Sequence, residues 1–219
     1  MPWPAQTLLL SVAAFAAVLA LGWGEYRGPR ALVYVAKPLA TLLILAIALA
    51  APAGGDPRVA RWIVAGLVFS LAGDVFLMLP SDRFAAGLAS FLVAHLCYIA
   101  GFTSQAGFQP APLVLAALVV AVGVVYRKLA PGLGKLRVPV IVYIAVIVVM
   151  AWQALARCAV VPGLGPPLAA AGALLFATSD SALALARFHR PFPASQAVVY
   201  GTYFTAQWLI ALSLIPLPG

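Results

Sequence analysis

The sequence predicts an all-α, polytopic transmembrane helical bundle of eight spans, and three observations predict it. Hydrophobic residues make up 65% of the 219 residues and charged residues 8%, too little polar surface to cover a soluble globule of that length. The apolar residues fall into eight runs, 5–23, 31–51, 60–80, 84–105, 111–126, 138–157, 166–186 and 196–217, each near the ~20 residues that cross a bilayer. The connections are too short to hold a further domain, so 1–219 reads as a single integral membrane domain.

Taken in order, the first run has no Lys or Arg before it and is followed by Glu25, Tyr26 and Arg27; this reverses the charge order of a cleaved leader, and a retained helix is expected. The second contains Lys37 followed by Pro38, where the helical ladder loses a donor and carbonyls can turn inward. In the third, Asp74 follows Gly73, and Ser70 one turn earlier offers a hydroxyl to its carboxylate. The fourth has His95 and Tyr98 about one turn apart, with Cys97 mid-span. The fifth is purely apolar. The sixth carries Tyr143 and ends near Cys158, so the two cysteines give no disulfide framework. The seventh holds Asp180 between Thr178, Ser179 and Ser181, whose hydroxyls offer local bonds, and the eighth holds Tyr200, Tyr203 and Gln207.

Nine Lys and Arg residues lie in the connections 1–2, 3–4, 5–6 and 7–8, and three (Arg58, Arg61 and Arg157) in the others. By the positive-inside rule the first group is cytoplasmic and both termini face outward. A bacterial inner membrane is the expected location. Trp3, Trp23, Tyr26 and Trp62 fall near span ends, as an aromatic belt requires. The net charge of +8 sits in short connections, which points to anionic lipid headgroups as counter-charge and away from nucleic acid.

At about 1.5 Å per residue, Lys37, Asp74, Tyr143 and Asp180 come to a common depth of about 10 Å from the cytoplasmic end. His95 and Gln207 lie deeper, with Tyr203 between and Tyr98 beyond. A polar cavity open to the cytoplasmic leaflet is the simplest geometry. An internal similarity supports a duplicated four-span unit. GLVFSLAGDVFLML (66–79) and GALLFATSDSALAL (172–185) share a Gly eight residues before the Asp and Leu three and five after it, and the same offset of 106 carries Lys37 onto Tyr143.

An ionisable side chain within a span costs roughly 2.5–3.5 kcal/mol on insertion scales, so it is normally turned toward a partner or a reaction. Each candidate also has a structural reading: Asp74 bonded to Lys37 or a tyrosine, Asp180 bonded to its neighbours, Lys37 snorkelling, His95 as a satisfied core residue, and the tyrosines with Gln207 as interhelical glue. With two histidines, His95 and His189, a three-His zinc set cannot be assembled. Neither a nucleophile elbow nor a phosphate-cradling Gly loop occurs. No metal or cofactor is expected, and paired carboxylates remain as the chemical candidates.

The Lys37-Pro38 start of the second span, the G-x7-D of the third, FAAGLASFLVAHLCY (84–98), GALLFATSDSALA and YFTAQWLI (203–210) occur in one order along nearly the whole chain. Together they resemble the lysoplasmalogenase-like YhhN family of eight-span membrane proteins. The resemblance implies a hydrolase that cleaves the vinyl ether of a lysoplasmalogen, releasing a fatty aldehyde and glycerophosphocholine or glycerophosphoethanolamine, with Asp74 and Asp180 as the essential pair. Lys37, His95, Tyr98, Tyr143, Tyr203 and Gln207 would then surround a lysophospholipid. Such chemistry needs one acid and one base, which two carboxyl groups supply. The alternative is a lipid-binding protein or proton-coupled transporter, which also places aspartates in the membrane.

Overall fold

The computed structural model describes residues 4–52 and 55–216 and, among them, helices with short connections. The eight long helices are α1 (Ala5–Tyr26), α2 (Arg30–Leu49), α3 (Pro57–Met78), α4 (Phe84–Ser104), α5 (Pro112–Leu129), α6 (Arg137–Arg157), α7 (Gly165–Phe188) and α8 (Ser195–Leu212). Each matches one predicted run, with differences at the ends. α3 begins three residues early because Asp56 caps it, accepting the Arg58 backbone N–H at 2.9 Å ahead of Pro57. α8 stops at Leu212; the chain turns through Ser213–Ile215 ahead of Pro216, whose ring cannot follow a helical residue without a clash. Residue 217, the expected last residue of that span, lies outside the described residues, as does Trp3.

Seven helices, α1 to α7, are long and apolar enough to cross a membrane by length and composition. α8 is the more polar one, since it carries Tyr203 and Gln207 inward, both buried. The distribution of side chains is inverted relative to a soluble protein. Lys37, Thr41, Asp74, His95, Arg157 and Gln207 are buried, whereas Leu9, Leu19, Leu113, Val120 and Val138 are exposed. This is an integral membrane protein, with lipid as the solvent for its outer surface. Trp23, Tyr26 and Trp62 are exposed near helix ends, as the belt expectation had them.

Six helices form a closed ring, α2–α3–α4–α6–α7–α8 and back to α2. The pattern of neighbours repeats between the halves: α3 on α4 as α7 on α8, α2 on α3 as α6 on α7, and α4 on α6 as α8 on α2. The repeat breaks at the two outer helices. α1 lies against α2 and α8, where Trp208 Nε1 donates to Ser11 Oγ at 2.9 Å, while α5 lies against α6 and α7. Leu129 at its last turn is the one buried residue of α5, so that helix is the most loosely held of the eight.

The glycines of the two matching segments do matching work. A Cβ on Gly66 would run into the Tyr98 ring of α4; on Gly172 it would lie 2.7 Å from Ile210 Cγ1 and 2.8 Å from the Ala206 carbonyl oxygen of α8. Both permit the close helix approach that small residues allow. Gly172→Ala is therefore expected to lower stability by about 1–3 kcal/mol, because a backbone carbonyl cannot move aside. Gly123→Ala, with nothing within 4 Å, is expected to leave stability unchanged or raise it by up to about 1 kcal/mol. Thermal unfolding midpoints of the two variants in one detergent check the pair; equal midpoints would contradict the packing described.

Candidate active site

Asp74 is the centre of the first polar cluster. It is 1% exposed, and the Lys37 ammonium lies 3.5 Å from its Oδ1. Its Oδ2 accepts from Thr41 Oγ1 at 2.6 Å and from Tyr203 OH at 2.7 Å. Lys37 and Thr41 sit one turn apart on α2, so one face of that helix supplies both a cation and a hydroxyl. Behind Tyr203 the chain of bonds continues: Gln207 Nε2 donates to Tyr203 OH at 3.3 Å, and Tyr98 OH donates to Gln207 Oε1 at 2.6 Å. Four helices are thus tied to one carboxylate, and all groups directly on it are donors.

Asp180 centres the second cluster, built from the repeat-related helices. Tyr143 OH donates to its Oδ2 at 2.6 Å, and His95 Nε2 stands 3.6 Å from the same oxygen. Here α6 supplies a phenol where α2 supplies an ammonium. Neither His95 ring nitrogen has a hydrogen-bonded partner; the imidazole packs edge-on against Phe176 at 4.6 Å and Tyr143 at 5.3 Å. The Asp180 side chain is 15% exposed against 1% for Asp74, so it is the more accessible carboxyl. The rings of Phe91, Phe176 and Tyr203, with centroids 5.3–6.0 Å apart, form an apolar partition beside the two clusters.

Two expectations about local hydroxyls need correction. Ser70 does not bond Asp74; its Oγ is buried without a partner in hydrogen-bonding geometry. The hydroxyls around Asp180 also go elsewhere: Thr178 to the Leu174 carbonyl, Ser181 to Ala177 and Ser179 to Val199. Helical Ser and Thr satisfy themselves on a backbone carbonyl one turn back, which leaves the carboxylates to donors from other helices. Lys37 does not snorkel, being buried at 6% exposure.

Lys37, Asp74, Asp180 and Tyr203 line a polar cavity of about 520 Å³, whose mouth carries Asp82, Arg83 and Arg187. Tyr143 and Asp180 line a second, apolar space of about 60 Å³, between α4, α5, α6 and α7. Leu77, Phe84, Phe91, Asp180 and Leu183 border both, and Asp180 is the one ionisable group among them. His95, Tyr98 and Gln207 stand behind the walls, fully buried. Sequence reasoning missed Thr41, for which the one-turn spacing from Lys37 was the available signal, and the pair at the mouth. Arg187 donates to Asp82 there, holding that carboxyl below its ordinary 3.8. Its contribution is complete above that value and is lost only as pH falls through the lower folded value, so the mouth stays ion-paired near neutrality. Among the described residues no group of three His, Cys, Asp or Glu side chains could hold a metal ion.

The profile of the YhhN family matches residues 32–214. Lysoplasmalogenase TMEM86A of Bos taurus is 40% identical over 159 residues, 70% of this chain and 65% of that protein. A lysoplasmalogenase of Mycobacterium tuberculosis is 35% identical over 182 residues, 80% of this chain and 67% of its own length. The uncharacterized membrane protein YhhN of Escherichia coli O6:H1 is 32% identical over 209 residues, covering 92% of this chain and 98% of the relative. The chain spans about 65% of the length of the TMEM86A relatives it matches. No solved structure matches it. The aspartates, the helices that carry them and all of the ring but the first two residues of α2 fall inside the matched region, and the chain belongs to the YhhN family.

Proposed function

We propose that the protein is a lysoplasmalogenase: a membrane hydrolase that cleaves the vinyl ether of a single-chain glycerophospholipid by paired-aspartate acid–base catalysis. The observation that carries this reading is the position of Asp180, the one ionisable residue on the walls of both the polar cavity and the apolar space. A lysophospholipid has a polar headgroup and one chain, joined at the bond to be cut. With the headgroup under Arg83 and Arg187 and the chain starting along α5, that bond lies at Asp180. The 60 Å³ space holds the beginning of a chain, and the exposed apolar face of α5 leads the remainder into lipid. Relatives in the same family named lysoplasmalogenase support the substrate class.

Asp180, protonated, gives its proton to the outer alkene carbon and leaves an oxocarbenium ion. Asp74, ionised beside Lys37, removes a proton from the water that captures this ion and forms a hemiacetal. Collapse of the hemiacetal returns the proton of its hydroxyl to Asp180, while Asp74 protonates the departing glycerol oxygen. Aldehyde and glycerophospho-alcohol leave, and both carboxyls regain their starting states. Tyr143 holds the Asp180 carboxyl in place, with the His95 ring packed beside it; Thr41 and Tyr203 hold Asp74, and Tyr98 and Gln207 position Tyr203. A conduit across the membrane fits less well. Tyr98, Phe102 and Phe176, each at most 1% exposed, fill the bundle beyond the aspartates.

The Lys and Arg asymmetry supports an inner-membrane orientation with the polar cavity facing the cytoplasm and both termini outside. Exposed Cys158 is a native reporter of the opposite end. A maleimide that cannot cross the membrane is expected to label Cys158 in intact cells, and to reach Lys135→Cys only after lysis. Reversed labelling would place the cavity on the other leaflet.

Asp74→Asn and Asp180→Asn are each expected to reduce aldehyde release from lysoplasmenylethanolamine by about 10²–10⁴-fold. Asp74→Asn leaves Lys37 buried and unpaired, at a cost of about 3–5 kcal/mol. Lys37→Met combined with Asp74→Asn removes both charges and is expected to regain stability without regaining activity. Near-normal turnover by any of these variants would exclude the mechanism.

Wild-type turnover is expected to follow a bell-shaped pH profile whose limbs belong to the carboxyl pair. Lys37→Met is expected to displace that profile, whereas Arg61→Gln at the far end of the bundle leaves it in place. A profile unmoved by Lys37→Met would separate the lysine from the chemistry.

A further inference from the structure

A larger cavity, of about 750 Å³, lies at the opposite end of the bundle, among the ends of α2, α4, α6 and α8 and the starts of α3 and α7. The proposed hydrolysis makes no use of it. Its wall includes Arg157, the last residue of α6, and Arg61 in the second turn of α3. Arg157 is 6% exposed. Its Nη2 donates to Gln105 Oε1 at 2.6 Å, while Nε and Nη1 are buried with no acceptor. Among the described residues neither Arg157 nor Arg61 has a carboxylate within ion-pair distance. Asp56 lies on the same wall, but its charge is already met: Oδ1 accepts the Arg58 backbone N–H at 2.9 Å and Oδ2 accepts from Arg58 Nη2 at 3.0 Å. The Arg58 bond holds that carboxyl below its ordinary 3.8.

A buried guanidinium with unmet donors is costly unless an anion completes it. The bond to Gln105 explains how Arg157 fastens α6 to the end of α4; it does not account for the remaining donors, for a second arginine, or for the open volume beside them. Guanidinium groups match oxyanions in shape and charge, and two of them from different helices suit the higher charge of a phosphate better than a carboxylate. Val161, Leu214 and Ile215 on the same wall give the space an apolar side that a bare ion would not need.

We propose that this second cavity binds a phosphate-bearing anion through Arg157 and Arg61, a chemistry that a lipid headgroup and a soluble phosphate ester share. The test uses the full chain, delipidated in an uncharged detergent without substrate, so its outcome is independent of the hydrolase reading. Thermal unfolding is followed against inorganic phosphate, glycerol 3-phosphate and micellar phosphatidylglycerol, with sodium chloride at matched ionic strength as control. A saturable rise of the midpoint is expected with at least one phosphate probe. Response to the soluble phosphates identifies a free anion as the source, and response to phosphatidylglycerol alone identifies a headgroup. In Arg157→Gln the apparent Kd is expected to weaken by about tenfold or more, with partial retention in Arg157→Lys. The response is expected to persist in Arg187→Gln, which alters the other cavity. If Arg157→Gln does not fold, exposed Arg61→Gln carries the test and is expected to weaken binding in the same direction. Absence of a saturable response, its survival unchanged in the Arg157 or Arg61 variant, or its loss in Arg187→Gln would overturn the proposal.

Discussion

The ion pair between Lys37 and Asp74 is the constraint around which the bundle is organised. Both partners are buried, in a protein whose outer solvent offers no hydrogen bonds. Neither charge could be there alone, because an unpaired buried ion is among the most destabilising features a fold can contain. Thr41, Tyr203, Gln207 and Tyr98 complete the network, and each satisfies a group that would otherwise be stranded. Apolar packing does not distinguish one helix contact from another in lipid, since tails are as apolar as leucine. A polar network with one set of partners does. It fixes the register of α2, α3, α4 and α8, and the ring closes where α8 meets α2.

The second half of the chain uses the same arrangement with the charge removed. Offset by 106 positions, Tyr143 stands for Lys37 and Asp180 for Asp74; Tyr203 of α8 bonds Asp74 at 2.7 Å, whereas His95 of α4 stands 3.6 Å from Asp180 without a hydrogen bond. The asymmetry between two near-equivalent sites is what gives the pair chemical use. Asp74 lies beside an ammonium and two hydroxyls; Asp180 lies beside a phenol and an imidazole, with more of its side chain exposed. The proposed hydrolysis needs one carboxyl of each kind. The outer helices add a further difference, since α5 rests on α7 where α1 rests on α8, and the apolar space arises on the α5 side.

Much of this was legible before the structure, for reasons tied to particular residues. Lipid exposure makes apolar runs obligatory, so the helices could be counted from hydropathy. Asp74 and Asp180 stood out because a carboxyl in such a run is rare, and helical rise placed Lys37 and Tyr143 at their level. Partners contributed by other helices were harder to read. Ser70 and the hydroxyls beside Asp180 were the nearest candidates in sequence, yet Thr41, Tyr203 and Tyr143 hold the carboxylates. Helix rotation decides which donor faces which acceptor, and hydropathy carries little information on rotation when all faces are apolar. For the same reason Tyr98 and Gln207 were legible as polar and deep, but their place behind Tyr203 was not.

The two end cavities then differ in kind. The one beside the aspartates combines opposite charges, with Asp82 bonded to Arg187 at its mouth and Lys37 bonded to Asp74 within. That composition suits a zwitterionic headgroup, because a phosphate and an amine each find a counter-charge without leaving a net one. The far cavity has its acid paired with Arg58, and among the described residues neither Arg157 nor Arg61 has a carboxylate within ion-pair distance, with two donors of Arg157 left without an acceptor; that suits an anion. Between them stand the fully buried rings of Tyr98, Phe102 and Phe176. Water entering at either end would meet this apolar barrier, so the proton exchanges of the proposed reaction stay within one cavity. That confinement is what a hydrolase embedded in a proton-impermeable membrane requires.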